Sequence, residues 1–237
     1  MKKFNPVFLA LLFVTISALS AQPVVTDTFS TLTGWTPAYG TWKAENALIQ
    51  SNSKTGLAMI NRKLPQSGVY QLEYTASYLS GGFADQRAAD MGKYNAGFGI
   101  HIGIDKPAKG PSWGNGKSYL LWFNLDTIVP STSDFHGLRA QVYKSESNSV
   151  MTLMREYNEE LIPADSIEET LDYLSESLYF KIIVDTDSGE VKVFDPTLED
   201  HYYSLYLEPS LLKGSYIALR TNKVSIAFND LKVTPLR

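Results

Sequence analysis

Three features of the sequence predict an all-β protein, either a sandwich or a barrel. Apolar and polar residues alternate with a period of two along many short segments, which is the pattern of half-buried strands. Turn-forming residues separate these segments at short intervals. The 237-residue chain has no cysteine, so an ordinary hydrophobic core must stabilise it, and its length suits one large β domain.

The first twenty residues predict a secretory signal peptide of bacterial type. Two lysines precede an apolar run over residues 7–16, which is too short to span a bilayer and is followed by small residues. Cleavage is expected after Ser20 or Ala21, and an uncleaved anchor is the alternative. We therefore expect an exported protein of the periplasm, the cell surface or the extracellular space, with one domain over residues 21–237. No later segment has the ~20 apolar residues of a membrane span.

The charge of the chain argues against two classes of partner. The formal net charge of −4 becomes −6 without the leader, because removal of two lysines leaves 19 basic residues against 25 acidic ones. A mildly acidic chain without a basic run is a poor partner for nucleic acid or for anionic lipid.

Alternation defines the strands in chain order. Residues 69–79, 95–105 and 118–126 each carry an apolar residue at every second position. Residues 178–194 predict a hairpin with its turn at residues 187–189, and residues 215–236 predict two more strands. The positions expected to face the core are Leu72, Tyr74, Ala76, Tyr78, Phe98, Ile100, Ile102, Ile104, Tyr119, Leu121, Phe123, Leu125, Leu138, Ala140, Val142, Leu178, Phe180, Ile182, Val184, Val191 and Val193.

One short helix is predicted after Pro163. Asp165 and Glu168 have the spacing of a capping pair. Such a helix either packs over one edge of the sandwich or forms a lid over a site. The residues that recur with helical spacing are Ile167, Leu171, Leu174 and Leu178.

The aromatic-rich stretch over residues 34–42 is interpreted as scaffolding rather than as a ligand platform. Trp42 is expected to begin a strand and to lie in the core. Pro37 places the preceding segment in a turn, so that Trp35 and Tyr39 cover the sandwich edge.

The order of these segments resembles the concanavalin A-like lectin/glucanase superfamily, which includes laminin-G-like modules and secreted sugar-hydrolase-related domains. The chain opens with "DTFS", "GW" and "GTWKAENALIQS" and closes with "FKIIVDTDSGEVKVFD" and "GSYIALRTNKVSIAFNDLKVT". The last strand, residues 228–233, resembles the superfamily's terminal strand, which pairs back beside the first. Ala44 and Asn46 depart from its pattern. The resemblance implies a jelly roll, that is, a two-sheet antiparallel β-sandwich, here with one short helix inserted, and binding on a concave face.

Residues that alternate with the core positions predict a carbohydrate site on that face. Trp122 offers an aromatic surface for the C–H patches of a sugar, and planar polar groups beside it can bind hydroxyls. Gly97, Gly99 and Gly103 are expected to form a low floor around His101, although glycines in strands also mark bulges. Trp113 is expected in a loop over one end of the groove. The predicted ligand-binding residues are Trp122, His101, Arg139, Tyr143, Gln141, Asn124, Glu73 and Trp113.

A glucanase mechanism of the usual kind is not predicted. Retaining glycoside hydrolases need two carboxylates ~5 Å apart, and the sequence lacks the E-x-D-x-E strand pattern of the superfamily's glucanases. Glu73 is the only outward carboxylate in mid-strand. The acidic run over residues 155–160 is interpreted as a solvated loop or helix edge. No G-x-S-x-G elbow supports a serine nucleophile.

The superfamily resemblance also implies a possible structural calcium ion near the paired termini. Asp27 and Asp230 are the candidate ligands, because their strands are expected to be neighbours and calcium prefers oxygen donors. The alternative is that both are surface aspartates in turns. The three histidines are too scattered for a zinc site.

Three functions are consistent with the sequence. The favoured one is a secreted, non-catalytic domain that binds glycan on its concave face. The second is a structural or interaction protein of the cell envelope, for example a sheath or coat subunit of a periplasmic flagellar filament. The third is a glycoside hydrolase with an unrecognised carboxylate pair.

Overall fold

The computed structural model describes residues 24–45, 48–50, 56–81, 96–125, 137–163 and 172–236. The predicted signal peptide and the start of the predicted helix lie outside these residues. The strands are β1 (Val25–Asp27), β2 (Trp35–Tyr39), β3 (Trp42–Ala44), β4 (Leu48–Gln50), β5 (Leu57–Lys63), β6 (Val69–Gly81), β7 (Gly97–Ile104), β8 (Ser118–Asn124), β9 (Gly137–Ser145), β10 (Met151–Pro163), β11 (Leu178–Asp185), β12 (Glu190–Phe194), β13 (Tyr202–Tyr206), β14 (Tyr216–Asn222) and β15 (Val224–Pro235).

These strands form a sandwich of two antiparallel sheets. Sheet A has eight strands in the order β13-β12-β11-β6-β15-β4-β3, with β1 also paired to β15. Sheet B has seven strands in the order β10-β9-β8-β7-β14-β5-β2. Val25 lies opposite Val233, so the first and last strands pair as the sequence predicted. The two-sheet sandwich confirms the predicted fold class.

The core between the sheets is built from the predicted inward alternants. Tyr74 and Phe180 of sheet A stack with ring centroids 5.1 Å apart. Phe123 of sheet B approaches Phe180 to 4.5 Å, and Phe98 approaches it to 5.6 Å. All four rings are at most 1% exposed. Period-two alternation therefore predicted which side of each strand is buried, because both sheets bury one face in a shared core.

Ile104 departs from the predicted alternation. It packs with Met59 and Ala218 in a second apolar cluster, on the side of sheet B away from the core. The pairing of β7 with β14 shifts register just before Ile104, and Gly103 there has φ of +71°. This bulge reverses the side on which the next residue lies. Gly103 faces Leu211 and the following residue, so it does not belong to the predicted glycine floor.

The aromatic-rich stretch over residues 34–42 crosses from one sheet to the other. Trp35 in β2 and Trp42 in β3 are both buried in the main core, as scaffolding requires. The crossing occurs at Gly40, where φ is +78° and a Cβ atom would lie 2.3 Å from the Ala58 Cβ. The predicted turn at Pro37 is wrong. Pro37 lies within β2, an edge strand of sheet B, where proline is tolerated.

Two other local predictions are corrected. The predicted helix does not reach Leu178, which is the first residue of β11, and residues 172–175 are its described helical part. The acidic run over residues 155–160 is part of strand β10 rather than a loop or helix edge. A register shift between Leu153 and Asn158 interrupts its alternation, which is why the sequence pattern does not show a strand.

No helical segment among the described residues has the length and apolar character of a bilayer span.

Candidate functional site

Six of the eight residues predicted to contact a ligand share one face of sheet B. This face is turned away from the core, and we call it the outer face. Strand register places Trp122 beside Gly99 of β7 and Gln141 of β9. Gly99 pairs in turn with Arg220 of β14. The six residues are His101, Trp122, Asn124, Arg139, Gln141 and Tyr143.

The predicted position of Glu73 is wrong. Strand β6 belongs to sheet A, so Glu73 lies on the opposite side of the sandwich. Its carboxylate accepts a hydrogen bond from the Tyr179 hydroxyl and lies 3.7 Å from the Lys232 ammonium. Burial raises the pKa of Glu73, but hydrogen bonds from Tyr179 and Gln71 and the charge of Lys232 outweigh it and lower the pKa. Alternation predicts the face of a strand but not the sheet that contains it.

Two glycines of β7 make room for the Trp122 side chain. A Cβ atom at Gly97 would lie 2.9 Å from the Cε2 and Cζ2 atoms of the indole. A Cβ atom at Gly99 would lie 3.0 Å from the Trp122 Cα and 2.1 Å from the Leu121 carbonyl oxygen. The indole therefore extends over β7. The predicted glycine floor is present at these two positions, but it carries Trp122 rather than His101.

The connection between β7 and β8, residues 105–117, covers part of the outer face. Its Asn115 side chain accepts a hydrogen bond from the Ala108 N–H at 2.8 Å and donates one to Asn61 at 2.9 Å. The Ser145 hydroxyl oxygen accepts a hydrogen bond from the Asn115 N–H at 2.9 Å. Because Asn61 belongs to β5 and Ser145 to β9, the loop is fastened across the width of the sheet. We call residues 105–117 the covering loop.

Trp113 is the most exposed aromatic residue of this region, with 37% of its surface exposed. Its indole N–H donates a hydrogen bond to the Met151 carbonyl at 3.0 Å. Its own carbonyl accepts a hydrogen bond from Arg220 at 2.6 Å, and the Arg220 Cζ lies 5.3 Å from its ring centroid. Trp113 thus lies in the covering loop and borders the outer face, and its contact with a ligand stays a prediction.

His101 lies beneath the covering loop and is fully buried, so its predicted exposure is wrong. Its Nδ1 lies 3.1 Å from the Ser118 hydroxyl oxygen, and its Nε2 lies 3.5 Å from the Arg220 Nη1. Burial lowers the pKa of His101 well below its usual value, and the charge of Arg220 lowers it further. The imidazole is therefore neutral at physiological pH and able to accept a hydrogen bond from Arg220.

Arg220 is the main residue of this face that the sequence reasoning missed. It lies on β14 and is only 1% exposed. Its side of the strand could have been predicted from alternation. Ile217 and Leu219 face the core, so Ala218 and Arg220 face the other way. The missing information was that β14 lies between β7 and β5, since the strands are far apart in sequence.

A cavity opens on the outer face beside the covering loop. It is small, with room for about one water molecule. Aromatic and apolar side chains form most of its wall, with one cation and one amide, and no acidic residue is among those that line it. The lining residues are Leu57, Trp113, Leu120, Trp122, Tyr143, Met151, Arg220 and Asn222.

A row of polar side chains continues across the outer face next to this cavity. The Asn124 amide donates a hydrogen bond to Gln141 at 3.3 Å, and Gln141 donates one to Asn158 at 2.9 Å. Arg139 lies directly opposite Asn124 in the strand register. Asn124 and Gln141 are buried, at 2% and 7% exposure, so this row supports the site rather than forming an open surface.

Among solved structures, the chain is similar to carbohydrate-binding module CBM66 from Bacillus subtilis, with 13% identity, a TM-score of 0.54, and coverage of 85% of this chain and 95% of that one. It is also similar to the exoplasmic/lumenal domain of VIP36 in its Ca²⁺/Man2-bound form, with 12% identity, a TM-score of 0.58, and coverage of 90% and 87%. The fold is the concanavalin A-like jelly roll. A legume lectin-like domain from Entamoeba histolytica matches with 11% identity, a TM-score of 0.56, and coverage of 87% and 92%.

These identities establish the concanavalin A-like fold and nothing finer. No protein-family model matches the sequence, and no curated protein matches it. The superfamily resemblance predicted from the terminal segments is confirmed as a resemblance of fold.

At the paired termini, the contacts of Asp27 do not fit its predicted role as a calcium ligand. The Asp27 carboxylate accepts a hydrogen bond from the Trp35 indole N–H at 2.9 Å and forms an ion pair with Arg62. Its other oxygen accepts the Phe29 N–H at 2.8 Å. A cation at Asp27 would therefore have to displace a guanidinium, and Asp230 is an exposed residue of β15. No cluster of three metal-ligating side chains occurs in the part of the chain that the structure describes.

Proposed function

We propose that this chain is an exported, non-catalytic protein that binds carbohydrate on the outer face of sheet B, over the cavity beside the covering loop. The observation that carries the proposal is the placement of two tryptophans, Trp113 and Trp122, in one cavity with the polar side chains of Arg220 and Asn222. The similar structures support it, since one is a carbohydrate-binding module and another is a Man2-bound form.

The lining of the cavity suits a sugar on physical grounds. An aromatic face packs against the apolar C–H patches of a pyranose ring, and a few polar groups fix its orientation through the hydroxyls. Trp113 is exposed enough to offer its ring to a ligand, whereas Trp122 is 4% exposed and forms the base of the cavity. The cavity itself has room for only about one water molecule, so we expect a sugar unit to lie over its mouth, against the exposed ring of Trp113, rather than inside it.

The chemistry of the cavity favours binding over hydrolysis. Retaining hydrolysis needs two carboxylates flanking the bond. No acidic side chain lines the cavity, and the one mid-strand carboxylate considered from the sequence, Glu73, lies on the other sheet in contact with Tyr179 and Lys232. A glycan that is bound here is expected to be released unchanged.

Titration against a panel of defined oligosaccharides tests the proposal. We expect at least one neutral or acidic glycan to bind the mature protein, and Trp113→Ala to weaken that binding about tenfold or more, because the stacking surface is lost. Tyr206→Ala is the matched control, since Tyr206 is an aromatic residue on sheet A with 68% exposure. No binding across the panel, or equal effects of the two variants, would contradict the proposed site.

Export is tested separately on the protein in its native cells. N-terminal sequencing of the fractionated protein is expected to begin at Ala21 or Gln22, in the periplasmic, surface or extracellular fraction. Recovery of the chain with its first residues intact in the cytoplasm would contradict export while leaving glycan binding untouched.

A further inference from the structure

Trp113 lies in a loop, yet contacts from three strands that are far apart in sequence fix its position. Its indole N–H donates a hydrogen bond to the Met151 carbonyl at 3.0 Å, and its own carbonyl accepts one from Arg220 at 2.6 Å. One residue earlier, the Ser112 carbonyl accepts a hydrogen bond from the Tyr39 hydroxyl at 3.1 Å. The three partners belong to β10, β14 and β2, so the half-exposed ring has a defined orientation.

Arg220 is the one of these three partners that contacts both the main chain and the ring of Trp113. Its guanidinium donates to the carbonyl, and its Cζ lies 5.3 Å from the ring centroid. A hydrogen bond from a charged donor is stronger than one between neutral groups, and a cation over an indole is attracted by the ring electrons. Arg220 therefore fixes the backbone and the side chain of Trp113 together.

The burial of Arg220 is costly, which argues that the cation has a specific role. It is 1% exposed, and the ion pairs found in the described part of the chain all join other residues. Its other close partner, His101 at 3.5 Å, is neutral. A neutral side chain of similar size would fill this place without the desolvation of an unpaired charge. The contacts with Trp113 are what such a side chain could not provide.

The ring of Trp113 also borders an open groove that Arg220 does not line. Residues 108–112 of the covering loop form one wall of the groove, and Asn148 and Ser149 of the turn between β9 and β10 form the other. Its volume is about 460 Å³, so a sugar unit packed on the exposed ring has room to extend into it. A sugar in this position is in contact with Trp113 and not with Arg220.

We propose that Arg220 is a positioning residue, which holds the Trp113 ring in the orientation that packs against a sugar without touching the sugar itself. The inference rests on the proposed function and adds to it the residue that sets the affinity from beneath the covering loop. It predicts that Arg220 acts on binding through Trp113 alone.

The first measurement follows Trp113 in the free protein. Its indole N–H signal in an NMR spectrum is identified by its absence in Trp113→Ala. In Arg220→Met we expect this signal to shift and its exchange with water to become faster, because the hydrogen bond to Met151 is no longer held in place. The indole N–H of Trp35, which donates to Asp27 at the paired termini, is the internal control and should not change.

The second measurement is a double-mutant cycle on binding. The probes are mannotriose, cellotriose, xylotriose and trigalacturonate, as members of the oligosaccharide panel, and the one that binds the wild type most tightly is used throughout. Arg220→Met is expected to weaken its binding about tenfold, as Trp113→Ala does. Arg220→Met added to Trp113→Ala should change the Kd less than about twofold, because no ring is left to position.

Three further variants control the cycle. Arg155→Met makes the same change at an exposed position of β10 and should bind like the wild type. Asp27→Asn lowers stability at the paired termini and should also leave binding unchanged, so instability alone does not imitate the effect. Arg220→Lys keeps the charge and one donor but not the planar group, and its loss should be about threefold. If Arg220→Met does not fold, Arg220→Lys takes its place in both measurements.

The outcomes separate this inference from the proposed function. Wild-type affinity in a folded Arg220 variant, an unchanged Trp113 indole signal in that variant, or losses that add in the double variant would overturn the inference while glycan binding stands. Absence of binding to every member of the panel overturns both.

Discussion

The outer faces of the two sheets carry similar residue types in different surroundings. On sheet A, Tyr179, Tyr202 and Tyr206 are 49%, 43% and 68% exposed. Lysines there lie over aromatic rings in the open, as Lys181 does over Phe194 at 4.1 Å. On sheet B, Trp122, His101 and Arg220 point away from the core in the same way, yet none of them is more than 4% exposed.

The covering loop accounts for much of this difference. It places polar groups such as Asn115 and the Trp113 carbonyl against the outer face of sheet B, so that side chains which would otherwise be hydrated must find partners within the protein. Hydrogen bonds in such a covered layer matter more than the exposed pairs of sheet A, because an unsatisfied buried group costs more than a lost surface contact. A face turned away from the core is therefore not always a surface.

The largest effect on stability is expected at Gly99 in β7, where the outer face of sheet B leaves no room for a side chain. In Gly99→Ala the new methyl group would lie 2.1 Å from the Leu121 carbonyl oxygen, and we expect a loss of about 3 kcal/mol in the free energy of unfolding. Gly110→Ala is the control, because no atom lies within 4 Å of its Cβ position, and it should change stability by less than about 0.5 kcal/mol. Denaturant unfolding measures both. Similar midpoints for the two variants would show that the outer face is not tightly packed.

The next effect concerns acid stability. His101 has its pKa lowered by burial and by Arg220, so it stays neutral in the native state while the unfolded chain binds a proton below its ordinary pKa of 6.5. The stability of the protein therefore falls as the pH drops below 6.5, with a slope from this residue that approaches ~1.4 kcal/mol per pH unit. His101→Gln should lose that part of the pH dependence, and His201→Gln, at an exposed position, should not. Identical pH profiles for His101→Gln and the wild type would contradict the buried, neutral imidazole.

A smaller effect is expected at the paired termini. Asp27→Asn leaves Arg62 without its ion-pair partner, and because both side chains are largely buried we expect a loss of about 1.5 kcal/mol, between the values for exposed and buried pairs. Because the Asp27 carboxylate is already paired with Arg62, any shift in melting temperature between calcium and a chelator should be the same in Asp27→Asn and in the wild type. A calcium-dependent rise of several degrees that disappears in Asp27→Asn would restore the predicted metal site.

The smallest effect is expected on the open face of sheet A. Tyr179→Phe removes the hydrogen bond to Glu73, and because Tyr179 is about half exposed the loss should be below about 0.5 kcal/mol at neutral pH. The pKa of Glu73 is lowered in the folded protein, so its contribution is present above 4.5 and disappears as the pH falls below that value. The pKa of Glu73, followed by NMR, should rise in the variant. An unchanged pKa would mean that Lys232 and Gln71 alone lower it.

The sequence predicted the fold well because alternation is a local property. Phe98, Phe123 and Phe180 could be assigned to the core from their own strands. The errors lie where a strand is irregular, at the bulge before Ile104 and in the interrupted strand β10, because each breaks the period that the prediction relies on.

The site was predicted only in part, because its assembly is not local. Alternation gave the correct face for Trp122 and Gln141, which lie on neighbouring strands close in sequence. It could not show that β14 brings Arg220 beside β7, that β6 and Glu73 belong to the other sheet, or that Asn115 closes the loop over His101. Each of these depends on pairings between distant segments.

The most direct test of the account is a crystal structure of the protein with the oligosaccharide that binds it most tightly in solution. We expect a sugar ring against the exposed face of Trp113, over the outer-face cavity of sheet B. A sugar bound instead to Tyr179, Tyr202 or Tyr206 on the open face of sheet A, with the cavity unchanged, would contradict the central claim.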